Sequence, residues 1–102
     1  MVLLEFSMSP LGKGESVSRY VSRSLEIIDE SGLDYRMNPM GTVVEGEWDA
    51  LLALLSRCFR ELEKESDRIS LLVKFDYRKG VSGALESKIR SVEEKAGRAF
   101  RK

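Results

Sequence analysis

The chain has 102 residues, with 17 lysines and arginines against 17 aspartates and glutamates, and no histidine. This length fits a single domain, residues 1–102, with one hydrophobic core. A formal net charge of zero argues against a general nucleic-acid binder, which needs a basic surface to displace counterions. Without histidine, a Ser-His-Asp triad, a Cys-His pair and a histidine-ligated metal are excluded. We therefore predict no catalytic residue, no metal site and no enzymatic activity.

The same composition predicts where the protein resides. The single cysteine, Cys58, excludes an intrachain disulfide and favours a reducing compartment. The start of the chain has no basic region and only a short apolar run before Glu5, so it does not read as a signal peptide. No stretch approaches the roughly 20 apolar residues that a membrane helix needs. We expect a cytoplasmic protein with no membrane contact.

The spacing of apolar residues predicts seven elements. Residues 2–9 alternate as a strand, with Leu4, Phe6 and Met8 on one face, and residues 15–31 have helical spacing. The remaining elements follow in chain order: strands at 33–37 and 40–45, a helix at 47–65 that Gly46 opens, a strand at 69–78, and a helix from 84 to 95 or further. The break at Asn38-Pro39 indicates a hairpin or a bulged pair.

This order is β-α-β-β-α-β followed by a helix, which is the ferredoxin-like pattern of an α+β protein. Two right-handed crossovers place the first two helices on one face of a four-stranded antiparallel sheet. The apolar stripe of the C-terminal helix is narrower than those of the first two helices, so we expect that helix to pack along a sheet edge or against another subunit. Trp48 begins the second helix, where we expect it to belong to the core. The fold itself settles no function.

The open face of the sheet is therefore the informative surface. Its outward positions include Leu3 and Leu72 among polar and charged residues, which favours packing on another subunit over a solvated face with pairs such as Glu5–Lys74. The third strand adds either Thr42 and Val44 or, in the other register, Val43 and Glu45. An RNA-binding sheet needs stacking aromatic residues at these central positions, and this sheet has none there. Gly12-Lys13-Gly14 follows a strand and precedes a helix, but it lacks the spacing of a phosphate loop.

Four segments in this order and spacing resemble a known family. They are Glu5-Phe-Ser-Met-Ser-Pro-Leu-Gly12 followed by Ser16-Val-Ser-Arg-Tyr-Val21, then Pro39-Met-Gly-Thr-Val-Val-Glu-Gly46, then Lys74-Phe-Asp-Tyr-Arg78. The set is similar to the small thiamine-binding protein family, the YkoF-like group of ferredoxin-like domains. The resemblance implies a cytoplasmic homo-oligomer, a homodimer or homotetramer, that binds thiamine or its hydroxymethylpyrimidine portion. It implies no cofactor beyond that ligand.

Side-chain chemistry suggests which residues hold such a ligand. A carboxylate, Glu5 or Glu45, would attract the thiazolium cation or accept from the exocyclic amine of the pyrimidine. The other candidates are hydroxyl, amide and apolar groups: Ser7, Ser9, Asn38 and Thr42 for the ring nitrogens and the tail hydroxyl, and Leu11 and Met40 for the ring faces. If Glu45 is the essential carboxylate, Glu45→Gln weakens thiamine binding and leaves the oligomer intact.

We therefore expect non-catalytic binding of thiamine near the open sheet face, at a subunit interface. The alternative is an oligomeric regulatory or structural module that binds another small metabolite or a protein partner. A hydrolase of the acylphosphatase kind shares the fold, but that chemistry needs an arginine in the loop after the first strand. The loop here is Pro10-Leu-Gly-Lys-Gly14, and Arg19 lies a turn inside the helix.

Overall fold

The computed structural model describes residues 1–12 and 17–100. Its elements follow the predicted order: β1 (Val2–Pro10), α1 (Val17–Glu30), β2 (Asp34–Asn38), β3 (Gly41–Gly46), α2 (Trp48–Glu63), β4 (Ile69–Tyr77) and α3 (Ala84–Ala96). Lys13 and Gly14 of the glycine-rich turn, and the predicted start of α1 at residue 15, lie outside the described residues. Gly46 ends β3 and does not open α2. The ferredoxin-like α+β fold with a C-terminal helix is confirmed.

The four strands form one antiparallel sheet in the order β2-β3-β1-β4. Leu4 of the central strand β1 lies between Val44 of β3 and Phe75 of β4, so alternate residues of three strands reach the same face. That face packs against α1 and α2, and Leu4, Ile28 and Leu51 are among its fully buried side chains. The alternation predicted from the sequence is the pattern that builds this core.

The β2–β3 hairpin decides which residues of β3 face outward. Asn38 pairs with Gly41 across the Pro39-Met40 turn, so the two strands are joined by two residues. With this register Val43 and Glu45 lie on the open face, and Thr42 and Val44 face the helices. A one-residue shift exchanges the two faces of a strand. The second of the two predicted registers is therefore confirmed, and the placement of Thr42 on the open face is wrong.

The C-terminal helix α3 lies across the open face, against β3 and β2. Leu85 is its buried anchor, and ion pairs from Arg36 to Glu86 and from Lys88 to Asp76 hold it to the outward sides of β2 and β4. The prediction that this helix packs on a sheet edge is wrong. The physical reason lies on the open face itself, where Leu3 and Val43 share a groove with Leu85 and Ile89 of α3.

β4 and the start of α2 are less covered than the sequence suggests. The alternating apolar residues of β4 do face the helix side, since they pair with the buried positions of β1. Leu71, Val73 and Tyr77 are nevertheless exposed. Among the described residues, Trp48 of α2 gives this face a ring contact, with its ring centroid 4.6 Å from that of Phe75. Trp48 itself is 48% exposed, so its assignment to the core is wrong.

Candidate functional site

An open cleft of about 620 Å³ lies on the helix side of the sheet, between α1 and the β2–β3 hairpin. Its floor is formed by the buried residues Phe6 and Met8 of β1, and one wall by apolar residues of α1. The hairpin supplies the other wall and the rim. The helices therefore leave the sheet uncovered near the C-terminal end of β1, and the cleft lies over that part of the sheet.

The cleft gathers five of the eight predicted ligand-binding residues. Its lining includes Ser7, Ser9, Asn38, Met40 and Thr42. Thr42 reaches it because β3 turns that side chain toward the helices, and Thr42 is a buried polar residue. Met40 stands at the tip of the hairpin turn and is 89% exposed. The register that puts Val43 and Glu45 on the open face is thus what brings Thr42 into the cleft.

The other three predicted residues, Glu5, Leu11 and Glu45, do not line the cleft. Glu5 is exposed on the open face of β1, where it pairs in register with Lys74 and Val43. Leu11 follows β1, and its backbone N–H donates to the carbonyl of Arg68 at 2.8 Å. Their role as ligand contacts stays a prediction that this cleft does not favour.

Glu45 is buried, 5% exposed, beneath the start of α3. The backbone N–H of Ala84 donates a hydrogen bond to its Oε2 atom at 2.8 Å. The residue at the N-cap of α3, Gly83, has no side chain with which to accept from the first turn. The carboxylate of Glu45 supplies that acceptor from a strand, and its negative charge lies where the helix dipole favours it. The carboxylate of Glu45 thus caps the N-terminus of α3.

The sequence missed the contribution of α1 and of Met37 to the cleft. Val21, Ser24 and Leu25 line it from the helix, and Met37 lines it from β2. Ser24 is buried. Its position as a polar residue on the otherwise apolar stripe of α1 is the sequence signal that could have identified it as part of the cleft. Met37 pairs with Thr42 of β3 and lies on the helix side of the sheet, where it is exposed.

The chemistry of the cleft is apolar with a few neutral polar groups. None of the described residues that line it carries a charge. A buried cation without a counter-charge is costly, whereas a neutral heteroaromatic ring loses little on leaving water. Methionine thioethers adapt their shape to a ring face, and hydroxyl and amide groups can donate to or accept from ring nitrogens. The cleft therefore suits an uncharged, nitrogen-containing ring.

A second groove, of about 850 Å³, lies on the opposite side of the sheet under α3. Its lining includes Leu3, Val43 and Ile89, with Arg36 and Lys88 among its charged residues. Both cations already bind carboxylates, Glu86 and Asp76 respectively. This groove occupies the open-face region where the sequence placed the ligand, but it holds only Asn38 of the predicted residues.

The described part of the chain shows neither a metal centre nor a membrane helix. Within residues 1–12 and 17–100 there is no group of three or more cysteine, aspartate or glutamate side chains placed to hold a metal ion. In the same ranges no helix is both long and apolar enough to cross a membrane.

Fold and cleft together define a small ferredoxin-like domain with one neutral pocket at the hairpin end of its sheet. A family model described as thiamine-binding protein matches residues 4–93, so the chain belongs to the thiamine-binding protein family. The resemblance seen in the sequence is thereby confirmed.

Relatives of known sequence share nearly the whole length of the chain. A UPF0045 protein of Mycobacterium bovis, Mb1933, is 36% identical over 93 residues, which cover 90% of this chain and 91% of that protein. The UPF0045 protein MJ1052 of Methanocaldococcus jannaschii is also 36% identical over 93 residues, or 91% of this chain and 93% of that protein.

Solved structures share the fold. The crystal structure of MJ1052 superposes with a TM-score of 0.83 at 35% identity, covering 91% of this chain and 96% of that one. TM0486 of Thermotoga maritima, whose name proposes a role in thiamine biosynthesis or salvage, superposes with a TM-score of 0.75 at 24% identity. That second match covers 85% of this chain and 95% of TM0486, and at this identity it supports the fold alone.

Proposed function

We propose that this protein binds thiamine or its pyrimidine portion without transforming it, as a cytoplasmic homo-oligomer, a homodimer or a homotetramer. One observation carries the proposal. The cleft beside the β2–β3 hairpin is lined by Ser7, Ser9, Asn38, Met40 and Thr42, in a chain that belongs to a family described as thiamine-binding.

The lack of charged side chains among the described residues of the cleft determines how the ligand is oriented. The aminopyrimidine ring is neutral and fits between the apolar floor and Met40, with Thr42 and Asn38 as hydrogen-bonding partners. The thiazolium ring carries a positive charge and stays at the open mouth, where water continues to solvate it. In this arrangement the ligand lies on the helix side of the sheet. The open face is a poorer candidate, because α3 lies across it.

Calorimetric titration of the purified protein with thiamine and with hydroxymethylpyrimidine tests the proposal. We expect both ligands to bind, with Kd values within about tenfold of each other, because the shared ring makes most contacts. The absence of heat and of a thermal shift at millimolar ligand would refute the proposal. A ligand of another class that copurifies in native mass spectrometry would support the alternative of a module for a different metabolite.

Thr42→Val localises the site. The change keeps the shape of the side chain and removes its hydroxyl, so we expect a loss of about fivefold to tenfold in affinity, or about 1–1.4 kcal/mol for one hydrogen bond. Ser91→Ala is the matched control, because Ser91 is an exposed serine on α3 and is not among the residues that line the cleft. Equal affinities for Thr42→Val and the parent protein would place the ligand elsewhere.

The available side chains support the proposed absence of catalysis. The chain has no histidine, and the cleft offers no charged group among the described residues to act as an acid or base. Prolonged incubation with thiamine is expected to return the vitamin unchanged, as measured by chromatography. Turnover into a second product would contradict this part of the proposal.

A further inference from the structure

Methionine side chains gather in the cleft. The chain has four methionines, and three of them, Met8, Met37 and Met40, line it. They come from β1, from β2 and from the β2–β3 turn, so three separate parts of the chain contribute a thioether to one place. Thioethers are polarizable and pack favourably on the faces of aromatic rings. A thioether is also open to oxidation, which converts it to a polar sulfoxide.

The three methionines differ in their access to water. Met8 lies on the floor and is 7% exposed, whereas Met37 is 64% exposed and Met40 is 89% exposed. A dissolved oxidant must reach the sulfur atom from the water, so Met37 and Met40 are open to it and Met8 is protected. Met1 gives an internal reference, because it is 49% exposed and does not line the cleft.

Met40 is exposed and yet lies opposite the floor of the cleft. It stands at the tip of the β2–β3 hairpin, and extending the β1–β3 register beyond the Phe6–Thr42 pair brings it level with Met8. Gly41 lets this end of β3 approach β1 closely, because an added Cβ there would lie only 3.0 Å from the carbonyl oxygen of Phe6. The thioether of Met40 is therefore placed to cover one face of a ring that rests on the floor.

We propose that Met40 and Met37 are oxidation sites, where a peroxide converts the thioethers to sulfoxides and thereby weakens the binding of a ring in the cleft. A lone pair of the sulfur attacks one peroxide oxygen, the O–O bond breaks, and an S–O bond forms. With hydrogen peroxide the second oxygen leaves as water, so the sulfur is oxidised and the peroxide is reduced. The inference rests on the proposed function and adds a regulation of that same site.

A sulfoxide is a poor surface for the face of a ring. Its oxygen is a strong hydrogen-bond acceptor that holds water, and a ring that covers it must remove that water. The thioether of a reduced methionine carries no such cost. Since Met40 covers the ring in the proposed arrangement, its oxidation accounts for most of the effect, and Met37 of β2 contributes the smaller part. We expect a loss of about threefold to tenfold in thiamine affinity.

Peptide mass spectrometry after brief exposure to hydrogen peroxide tests which residues react. We expect one added oxygen on Met40 and on Met37, while Met8 stays unmodified in the folded protein and reacts in denaturant. Met40 should react at least as fast as Met1, which is less exposed. Oxidation of Met8 as fast as Met40 in the folded protein overturns the proposal, as does a Met40 that reacts more slowly than Met1.

Calorimetric titration with thiamine before and after peroxide treatment tests the consequence. The measured quantity is the ratio of the two Kd values, which we expect to be about three to ten in the parent protein. In the double variant Met37→Leu, Met40→Leu the ratio should be near one, because leucine cannot be oxidised in this way. This variant retains Met1, Met8 and Cys58, so it also controls for oxidation elsewhere. A ratio near one in the fully oxidised parent overturns the proposal, and so does an equal loss in the double variant.

Reversal separates regulation from damage. Methionine sulfoxide reductases return the sulfoxide to the thioether, so treatment of the oxidised parent with these enzymes should restore its original Kd. A loss of affinity that persists after mass spectrometry shows Met40 to be reduced again overturns the proposal. A reduced parent protein that does not bind thiamine refutes the proposed function and this inference with it, whereas thiamine binding that ignores oxidation refutes this inference alone.

Discussion

Glu45 and Ala84 are 39 residues apart in the chain, and the carboxylate of the first accepts the backbone N–H of the second at 2.8 Å. The bond joins the end of β3 to the first turn of α3. It replaces the cap that Gly83 cannot provide, and it fixes α3 on the open face of the sheet. The carboxylate of Glu45, one of the two that the sequence offered as a ligand contact, thus accepts a hydrogen bond from the protein's own backbone.

Changing Glu45 should therefore loosen α3 and leave the ligand bound. Glu45→Gln keeps an acceptor but removes the charge that faces the helix N-terminus, which costs about 0.3–1 kcal/mol. Glu45→Ala removes the acceptor and costs about 1–3 kcal/mol. Amide hydrogen exchange is expected to accelerate in α3 before other helices, while calorimetry shows thiamine affinity within about twofold of the parent.

Glu47→Gln is the control for charge alone, because Glu47 is exposed two residues further on and its side chain makes no capping bond to α2. Its exchange rates in α3 should equal those of the parent. If Glu45→Gln instead weakens thiamine binding strongly and leaves α3 unchanged, the first assignment of Glu45, as the ligand's carboxylate, is the correct one.

A second link holds α3 to the edge strand β4. The ammonium group of Lys88 donates a hydrogen bond to the carboxylate of Asp76 and lowers the pKa of that carboxyl below its ordinary value of 3.8. A folded-state pKa below the unfolded value means that the charged form stabilises the fold. This contribution is present above pH 3.8 and is lost as the pH falls through the lower, folded-state pKa.

Titration of the Asp76 carboxyl by carbon NMR measures this link. We expect a midpoint below 3.8 in the parent and a midpoint closer to 3.8 in Lys88→Gln. Lys95→Gln, which removes a lysine from the exposed last turn of the same helix, should leave the Asp76 midpoint in place. Equal midpoints in the parent and in Lys88→Gln would show that the two groups do not interact in solution.

Most of the fold was predictable because the information is local. The alternation of Leu4, Phe6 and Met8 identifies both the strand and its buried face, and the four-residue and three-residue spacings identify the helices. The position of α3 was not predictable from such patterns. Its apolar stripe specifies that it must pack somewhere, whereas Arg36, Asp76 and Glu45, which hold it, come from three separate strands.

The candidate site was predictable in part for a related reason. Ser7, Ser9, Asn38 and Met40 are close in the fold because β1 and the hairpin converge, and the motif identified both segments. The contribution of Ser24 requires knowing which turn of α1 lies over that point. The face on which Thr42 lies depends on the β2–β3 register, and the sequence allowed two registers.

Cys58 should be chemically inert in the folded protein. Its side chain is fully buried, and burial raises the pKa of the thiol from 9.0 to about 11. Because only the thiolate reacts, a rise of two units reduces reactivity about 100-fold even before access is considered. We expect Ellman's reagent at neutral pH to react only as fast as the protein opens, and rapidly in denaturant. Fast reaction in the native state would show that α2 is not packed as described.

Gly41 is the position where a small change should affect both stability and ligand binding. Its backbone has a φ of +157°, and a Cβ there would lie 3.0 Å from the carbonyl oxygen of Phe6, a backbone atom that cannot move aside easily. Gly41→Ala should therefore push β3 away from β1 at the floor of the cleft. We expect a loss of about 1–3 kcal/mol in the free energy of unfolding, measured in urea, and weaker thiamine binding.

Gly80→Ala separates the steric clash from backbone strain. Gly80 also has a positive φ, +77°, but no heavy atom lies within 4 Å of the position that its Cβ would take. That variant bears only the conformational cost, about 1–2 kcal/mol, and should bind thiamine as the parent does because Gly80 is remote from the cleft. If Gly41→Ala also binds thiamine like the parent despite its lost stability, then the ligand does not rest on the floor formed by β1 and β3.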